Sequence, residues 1–162
     1  MTPFRHEPRV ATADDAGVIA RLLHDFNTEF DTETDDVPVL TTRFVRILSG
    51  DAALALLSMR DTRPTGFALI TLRPAIWFDG PVATLDELYV VPDDRGRGLG
   101  TRLLTGAMEL LRDLGCPEMH INVDEVDVDA RRFYERHGFV TVEPGVDYRM
   151  LCYVGATGLG TS

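Results

Sequence analysis

The stretch "YVVPDDRGRGLGTRLL", residues 89–104, decides the fold of this chain. An apolar, strand-like run ends at a proline and two aspartates, and three glycines set among arginines then lead into a leucine-rich helix. Each glycine inside or next to a helix costs roughly 1 kcal/mol relative to alanine, so the segment is a poor choice for scaffolding alone. A strand that turns through glycines into a helix directs main-chain N–H groups and the positive helix end to one point. The pattern predicts an anion-binding loop, although a tightly packed helix entry would use the same glycines.

Three kinds of phosphate-binding loop contain such glycines, and two of them do not fit. A P-loop needs a lysine followed by Ser or Thr after its last glycine, and no lysine follows here. The dinucleotide-binding pattern GxGxxG needs a third glycine where this chain has Thr101 or Leu103. What remains is Arg95-x-x-Gly98-x-Gly100 directly after an apolar strand. The charges around it are Arg95, Arg97 and Arg102, which Asp93 and Asp94 only partly counter.

Hydrophobic periodicity in the rest of the chain predicts a mixed α/β domain. We expect one domain over residues 1–162, with a core over about 8–154 and a flexible C-terminal tail over 155–162. An acidic loop separates the first two helices, and a meander of three antiparallel strands follows them. In chain order, the prediction is a short strand near residue 9, helices over 12–30 and 37–50, strands over 51–60, 66–74 and 81–91, a helix over 100–115, a strand over 119–124, a helix over 128–138, and closing strands over 139–142 and 147–154.

Charge and composition narrow the class of protein. The net charge of −10 repels phosphate backbones, which argues against a nucleic-acid partner and favours either a cationic partner or solubility alone. The apolar run "AALALLSM" is far shorter than the ~20 residues that span a bilayer, and the first residues, "MTPFRHEPRV", lack a signal-peptide core. We therefore expect no membrane contact and a cytoplasmic location.

Cys116 and Cys152 lack disulfide or metal spacing, and neither His24 nor His137 has a ligand partner nearby in sequence, so no metal is predicted.

A second segment of the chain, after the glycine-rich loop, also has a recognisable pattern of residues. The segment "DVDARRFYERHGF", residues 127–139, has a polar residue, an alanine three positions on, then Phe-Tyr and a terminal Gly-Phe. Together with Arg95-x-x-Gly98-x-Gly100 and the strand-like "MHINVD" between them, it resembles the GNAT superfamily of acyl-CoA-dependent N-acetyltransferases. The resemblance is clear from about Leu85 to Phe139 and extends more loosely to most of the domain. It implies a GNAT-like α/β fold, in which helices flank a mixed, mostly antiparallel central sheet.

The resemblance also implies acetyl-CoA as the cosubstrate, without a metal. In this family the strand before the loop pairs with the pantetheine arm, an N–H there stabilises the thioester oxygen, and the loop holds the pyrophosphate. One departure is Asp127, where asparagine is more usual: aspartate can cap the helix, but a carboxylate is less favourable beside coenzyme A phosphates. The implied coenzyme-binding residues are Leu88, Val90, Val91, Arg95, Gly96, Arg97, Gly98, Gly100, Thr101 and Asp127.

Acyl transfer to an amine requires a neutral amine, a stabilised oxyanion and a proton for the departing thiolate. Asp86 and Glu87 are the candidates for removing the amine proton, and because they alternate along "TLDELYVV" only one can point into a given site. The resemblance favours Asp86, whose short side chain suits a water relay, while an exposed surface carboxylate remains the alternative for both. By the same resemblance Tyr134 donates the proton to the leaving sulfur, and Phe133 packs its helix.

The acceptor is less visible in the sequence. The acidic loop Glu29–Asp36 lies where this family commonly borders the acceptor cleft, which favours a small cationic amine of aminoglycoside- or polyamine-like kind, although a solvated loop accounts for it equally. Trp77 and Phe78 are candidates for a cleft wall or for anchoring contacts. The alternatives are an acetyltransferase for protein or peptide amines, a non-catalytic acyl-CoA sensor and a nicotinamide enzyme, and a homodimer is left open. His120, Asn122 and Asp124 alternate along one predicted strand and would line either the site or solvent.

Overall fold

The computed structural model describes residues 7–158. Within them the chain forms five β-strands and four α-helices. The strands are β1 (Arg9–Val10), β2 (Ala53–Arg60), β3 (Arg63–Arg73), β4 (Val82–Val90) and β5 (Met119–Ile121). The helices are α1 (Ala16–Glu29), α2 (Val37–Leu48), α3 (Leu99–Asp113) and α4 (Val128–Arg136). Two short 3-10 turns, Ala13–Asp15 and Pro92–Asp94, precede α1 and follow β4.

The strands form one sheet in the order β1-β2-β3-β4-β5. Strands β1 to β4 pair antiparallel with their neighbours, and β5 pairs parallel with β4. A parallel neighbour requires a crossover connection, and α3 supplies it between β4 and β5. The predicted fold class, α/β with a mixed and mostly antiparallel sheet, is confirmed.

Helices cover both faces of the sheet. On one face, α1 and α2 contribute to a buried apolar cluster that contains Ala55, Leu57 and Phe67 from β2 and β3. Leu56 points to the opposite face of β2, and its Cδ1 would lie 3.5 Å from a Cβ placed on Gly106 of α3. The sheet therefore lies between the α1–α2 pair and α3.

Local chemistry fixes the ends of these helices. The Asp36 carboxylate accepts a hydrogen bond from Val39 N at 3.1 Å and so caps the start of α2. Helix α3 begins after Gly98 and ends before Gly115, whose φ angles are 78° and 73°. Only glycine adopts this left-handed conformation without strain, so the two residues delimit α3, close to the helix predicted over 100–115.

The chain divides into two compact units, Met1–Ile121 and Asn122–Ser162. The first contains the sheet and α1 to α3, and the second contains α4. Asp127 caps α4, as predicted, because its carboxylate accepts a hydrogen bond from Ala130 N at 3.0 Å. The single domain over residues 1–162 stays a prediction. Residues 1–6, and residues 159–162 of the expected flexible tail, lie outside the described residues.

The two closing strands predicted over residues 139–142 and 147–154 are wrong. No residue between 122 and 158 is in a strand, and Tyr153 and Val154 are 89% and 95% exposed. A strand forms only where a neighbouring strand takes up its main-chain hydrogen bonds, and apolar alternation does not reveal whether that neighbour is present. The strand predicted over 119–124 is also shorter, because β5 ends at Ile121.

Candidate active site

One edge of β4 is open where β4 and β5 separate. Strand β5 pairs only with Ala83–Leu85, so the later part of β4 has no strand partner on that side among residues 7–158. On its other side β4 remains paired with β3 as far as Val90. The open edge leads directly into the 3-10 turn Pro92–Asp94 and the glycine-rich loop.

Main-chain groups at alternate residues point out of this open edge. Val91 N donates a hydrogen bond to Thr65 O at 3.0 Å. The alternation of an antiparallel pair then directs the N–H and C=O groups of Leu88 and Val90 away from β3, toward the open edge. Val91 does not share this property, since its C=O also accepts a hydrogen bond, from Asp94 N at 3.0 Å. An extended chain that carries amides could therefore bond to both main-chain groups of Leu88 and to the N–H of Val90, but not to the N–H of Val91. The C=O of Val90 already accepts a hydrogen bond from Arg95 Nε at 2.9 Å.

Strand β4 contains a β-bulge at Asp86. The register changes from Glu87 opposite Leu69 to Leu85 opposite Ile70, so Asp86 has no counterpart in β3. A bulge adds one residue to one strand and interrupts the alternation of side chains, and bulges are frequent beside active sites. The expectation that Asp86 and Glu87 alternate regularly across the strand is therefore wrong.

The two carboxylates of the bulge have different surroundings. Asp86 is exposed, and its Oδ2 accepts a hydrogen bond from Thr71 Oγ1 at 2.7 Å. Glu87 is half-buried, and burial, assisted by the nearby Asp86 charge, raises the pKa of its carboxyl to about 7. A carboxyl with a pKa near neutrality can accept and release a proton at ordinary working pH. Burial thus distinguishes the two carboxylates, which the sequence could not do.

The glycine-rich loop has the form of an anion cradle. Gly96 and Gly98 have φ angles of 71° and 78°, and a Cβ at either position would meet no atom within 4 Å. The first helical hydrogen bond of α3 is donated by Arg102 N to Gly98 O at 3.1 Å, so the N–H groups of Leu99 and Gly100 have no acceptor within the helix. Open space beside such N–H groups at a helix start fits a pyrophosphate.

The guanidinium of Arg95 binds groups of α1 and β4, and its predicted contact with the coenzyme stays a prediction. It makes two hydrogen bonds to the Glu29 carboxylate, at 2.6 and 2.8 Å, and its Nε donates to Val90 O at 2.9 Å. It also lies 5.6 Å from the centre of the Tyr89 ring, whose hydroxyl donates to Glu29 Oε2 at 3.2 Å. The hydrogen bonds between the Arg95 and Glu29 side chains raise the pKa of Arg95 and lower that of Glu29. Arg95 therefore ties the loop to α1, whereas the side chain of Arg97 is 62% exposed.

Most of the acidic segment Glu29–Asp36 has structural partners. Glu29 belongs to α1 and binds Arg95, Asp35 forms an ion pair with Arg43 at 2.5 Å, and Asp36 caps α2. The remaining carboxylates of the segment, Asp31 and Glu33, are exposed. The segment therefore offers an acceptor fewer negative charges than its sequence suggests.

The aromatic residues and the polar row that the sequence suggested for the acceptor site do not form one cluster. Trp77, in the β3–β4 connection, is 85% exposed, and Phe78 is 39% exposed. His120 lies in β5, where its Nε2 is within hydrogen-bond distance of Glu118 Oε1. Asn122 and Asp124 follow β5 and belong to the second unit, so the alternating row expected with His120 does not form along one strand.

Tyr134 lies on α4 within the second unit. It is half-buried, and its ring lies edge-on to those of Phe133 and Phe139, with centroid distances of 5.2 and 6.2 Å. Both rings therefore pack against Tyr134.

Neither a metal cluster nor a membrane span is found within residues 7–158. No group of three or more His, Cys, Asp or Glu side chains there is arranged to hold a metal ion. None of its helices combines the length and apolar character needed to cross a bilayer. The two histidines considered as ligands have other contacts: His137 Nδ1 lies 2.7 Å from Phe133 O, and His24 Nδ1 lies 3.8 Å from Asp25.

An open strand edge beside a glycine-rich helix start can bind an extended amide chain that carries a phosphate group. Sequence comparison then identifies the family. The profile of the acetyltransferase (GNAT) family matches residues 19–139, which is most of the chain. The chain therefore belongs to the acetyltransferase (GNAT) family, a family of N-acetyltransferases, and the resemblance seen in its motifs is confirmed.

Relatives within this family act on different acceptors. A solved structure from Arthrobacter sp. FB24, provisionally assigned as an acetyltransferase, is 46% identical with a TM-score of 0.85, over 92% of this chain and 94% of that one. Peptidyl-lysine N-acetyltransferase YjaB of Escherichia coli K12 is 32% identical over 82% of both chains. An aminoglycoside N(6')-acetyltransferase type 1 of Stenotrophomonas maltophilia is 32% identical over 64% of this chain and 70% of the relative. A mycothiol acetyltransferase of Thermobispora bispora is 37% identical over 44% of this chain, which spans only 24% of that relative.

Proposed function

We propose that this chain transfers the acetyl group of acetyl-CoA to a primary amine of a small cationic molecule, of aminoglycoside- or polyamine-like kind. The observation that carries the proposal is the continuity of the open β4 edge with the glycine-rich loop at the start of α3. An acyl-pantetheine arm can lie along this edge while the attached pyrophosphate reaches the helix start. Acetyl-CoA, when bound, supplies the activated thioester.

The residues assigned to the coenzyme have distinct tasks. Leu88 and Val90 offer main-chain groups to the amides of the pantetheine arm, and the Leu88 N–H, next to the bulge, is our candidate donor to the thioester oxygen. Gly96 and Gly98 give the loop its conformation and leave room for phosphate oxygens. The other groups assigned to the pyrophosphate are the main chain of Gly100 and Thr101 and the cationic side chains of Arg97 and Arg102.

Glu87 is our candidate for the base that removes the proton of the acceptor amine. An alkyl ammonium has a pKa of about 10.4, so it must lose a proton before it can attack the thioester. The raised pKa of Glu87, about 7, makes its carboxylate a better proton acceptor at neutral pH than an ordinary carboxylate. Asp86 is less suited because it is exposed and bonded to Thr71.

Tyr134 is our candidate for the acid that protonates the sulfur of coenzyme A as it leaves. A hydroxyl both donates and accepts hydrogen bonds, so Tyr134 could stabilise the developing thiolate even before full proton transfer. The assignment rests on the matching motif "RRFYERHGF". Asp127 is kept as the cap of α4, and a phosphate contact from it stays a prediction.

A cationic acceptor is supported by the carboxylates beside the site and by the net charge of −10. Asp86, Asp31 and Glu33 are exposed and available to attract an ammonium group. The similarity to an aminoglycoside acetyltransferase agrees with a small polyamine-like substrate. The similarity to YjaB, which spans more of the chain, supports a lysine side chain of a protein as the second candidate.

Substitution of Gly98 by alanine should weaken coenzyme A binding roughly tenfold or more, the size expected for losing one hydrogen bond to a charged group. Gly115→Ala is the matched control, because both glycines have positive φ at opposite ends of α3 and open space for a Cβ. Both variants should lose stability by about 1–2 kcal/mol, the cost of a left-handed alanine. Calorimetric titration should show weakened binding for Gly98→Ala alone. Equal affinities in the two variants would argue against a coenzyme cradle.

The direct test of the proposed function is acetyl-CoA binding by calorimetry, followed in the same preparation by thiol release with a panel of amines. Aminoglycosides, polyamines and a lysine peptide would represent the acceptor classes. Binding with amine-dependent thiol release supports an enzyme, and the fastest amine identifies the acceptor class. Binding without release from any amine would support a non-catalytic acyl-CoA sensor, and no binding would reject the cradle. A cytoplasmic location and a homodimer stay predictions.

A further inference from the structure

Asp94 is a charged residue without solvent contact. It ends the 3-10 turn Pro92–Asp94 between β4 and the glycine-rich loop, and it is 0% exposed. Removing a carboxylate from water costs several kcal/mol unless cations and hydrogen bonds replace the lost hydration. Nothing in the sequence around Asp94 explains why its side chain is buried, and an exposed aspartate would form the same turn. The partners of Asp94 therefore bear on its role.

These partners come from the hairpin that joins β2 to β3. Arg60, the last residue of β2, forms an ion pair with Asp94 Oδ1, and Arg63, the first residue of β3, donates to Oδ2 at 2.5 Å. The loop itself adds a third cation, since Arg97 Nη1 lies 3.8 Å from Oδ1. One buried carboxylate thus gathers three guanidinium groups, two of them from a different part of the sheet.

The conformation of the glycine-rich loop depends on the residues on either side of it, because the hydrogen bonds of the Asp94 turn do not include the glycines. Asp94 N donates to Val91 O at 3.0 Å, and Arg95 N donates to Pro92 O at 3.2 Å, which close the turn. Gly96 and Gly98 have no side chain to hold them, and they take a conformation with positive φ that glycine also leaves easily. The shape of the loop between them must therefore be imposed from its flanks. The start of α3 follows on one side. On the other side the loop is preceded by Arg95, which binds Glu29 of α1, and by Asp94, which binds the β2–β3 hairpin.

We propose that Asp94 is a positioning residue that fastens the coenzyme loop to the β2–β3 hairpin, so that its N–H groups are arranged for the pyrophosphate before the coenzyme arrives. This inference rests on the proposed function. The apparent affinity is proportional to the fraction of molecules whose loop is competent, so losing the fastening lowers coenzyme affinity without removing any atom that touches the coenzyme.

Two substitutions, Asp94→Asn and Arg63→Gln, distinguish fastening from simple Coulomb attraction. The two explanations predict opposite effects of Asp94→Asn on coenzyme affinity. Coenzyme A is an anion, so Asp94→Asn, which removes a negative charge beside three arginines, would strengthen binding if only Coulomb attraction mattered. Arg63→Gln, which removes a positive charge, would weaken it. Fastening predicts that both substitutions weaken binding. The sign of the Asp94→Asn effect therefore separates the two explanations.

The test compares coenzyme A dissociation constants, by calorimetry, for the wild type, Asp94→Asn, Arg63→Gln and the double variant. We expect each single variant to raise the dissociation constant on the order of tenfold, and the double variant to be no worse than Asp94→Asn, because both remove the same contact. Arg63→Gln leaves Asp94 paired with Arg60, so it keeps the test available if Asp94→Asn folds poorly. Unchanged or tighter binding in Asp94→Asn, or additive effects in the double variant, would overturn the proposal.

Asp15→Asn is the matched control. It makes the same change of charge and removes an ion pair, that of Arg9 with Asp15 at 2.7 Å, but has no contact with the loop. Its coenzyme affinity should be that of the wild type. Amide hydrogen exchange in the coenzyme-free protein gives a second readout: the N–H groups of Arg95 and Arg102, which are hydrogen-bonded on either side of the glycines, should lose protection in Asp94→Asn and not in Asp15→Asn. If the wild type does not bind coenzyme A, the proposed function fails, whereas unchanged protection of both N–H groups rejects the fastening itself.

Discussion

Replacing Glu87 with glutamine should lower kcat/KM for amine acetylation at pH 7.5 by about 10²- to 10⁴-fold, the usual contribution of a general base. Glutamine keeps the shape of the side chain and cannot accept the amine proton. In the wild type, kcat/KM should rise with pH through about 7, because the Glu87 carboxyl must first lose its proton. The variant should lack this rise. A pH profile with acetyl-CoA at saturation and the best amine of the panel measures both effects.

Asp86→Asn is the matched control for this prediction. It removes the neighbouring charge of the same bulge without removing the half-buried carboxyl. The variant should retain activity within a few-fold, and its profile should shift to lower pH, because the Asp86 charge contributes to the raised pKa of Glu87. A large loss in Asp86→Asn together with a small loss in Glu87→Gln would instead assign the base to Asp86.

The same carboxyl should leave a signature in stability that is independent of catalysis. The pKa of Glu87 is higher in the folded protein than its ordinary value of 4.5, so protonation stabilises the fold at low pH. That contribution is complete below about pH 4.5 and is lost as the pH rises through about 7. Thermal unfolding should therefore show Glu87→Gln gaining stability relative to the wild type across this range. A constant difference would mean that burial does not perturb Glu87.

Substitution of Tyr134 by phenylalanine should lower kcat by about 10²-fold while the KM for acetyl-CoA changes little. The variant loses only the hydroxyl, so the edge-on ring contacts with Phe133 and Phe139 can persist and the fold of α4 should be kept. Steady-state kinetics with acetyl-CoA as the varied substrate separates kcat from KM. Unimpaired turnover would remove Tyr134 from the acid role.

Tyr148→Phe provides the control for this substitution. Tyr148 belongs to the same compact unit and is 68% exposed, and the change removes the same hydroxyl. Its kinetic constants should match those of the wild type. Comparable losses in both variants would indicate a general effect on the second unit and not a proton donor at position 134.

The sequence predicts well those parts of the fold whose cause is local. Gly115 ends α3 because positive φ is a property of the residue itself, and Asp127 caps the helix that follows it. The meander of β2 to β4 also follows from short turns between apolar runs. In each case the residues that determine the structure lie within a few positions of one another.

Features that depend on distant partners could not be predicted in this way. The bulge at Asp86 is a relation between two strands, and it alters which of two adjacent carboxylates is buried. Arg95 belongs to the coenzyme motif, yet its guanidinium binds Glu29, which nothing in the motif indicates. The prediction of two closing strands was wrong for the same reason, because a strand forms only beside a neighbouring strand, whatever its own alternation of apolar residues.

The ion pair between Arg95 and Glu29 has a consequence for how the protein reaches its native state. The two residues are 66 positions apart, so their contact closes a long segment of chain and cannot form early from local structure. Contacts of this range accumulate only after the intervening helices and strands have found one another, which slows folding relative to a chain of local contacts. The coenzyme loop should thus be among the last parts of the first unit to order during refolding, and the return of coenzyme binding should lag behind the return of helical signal.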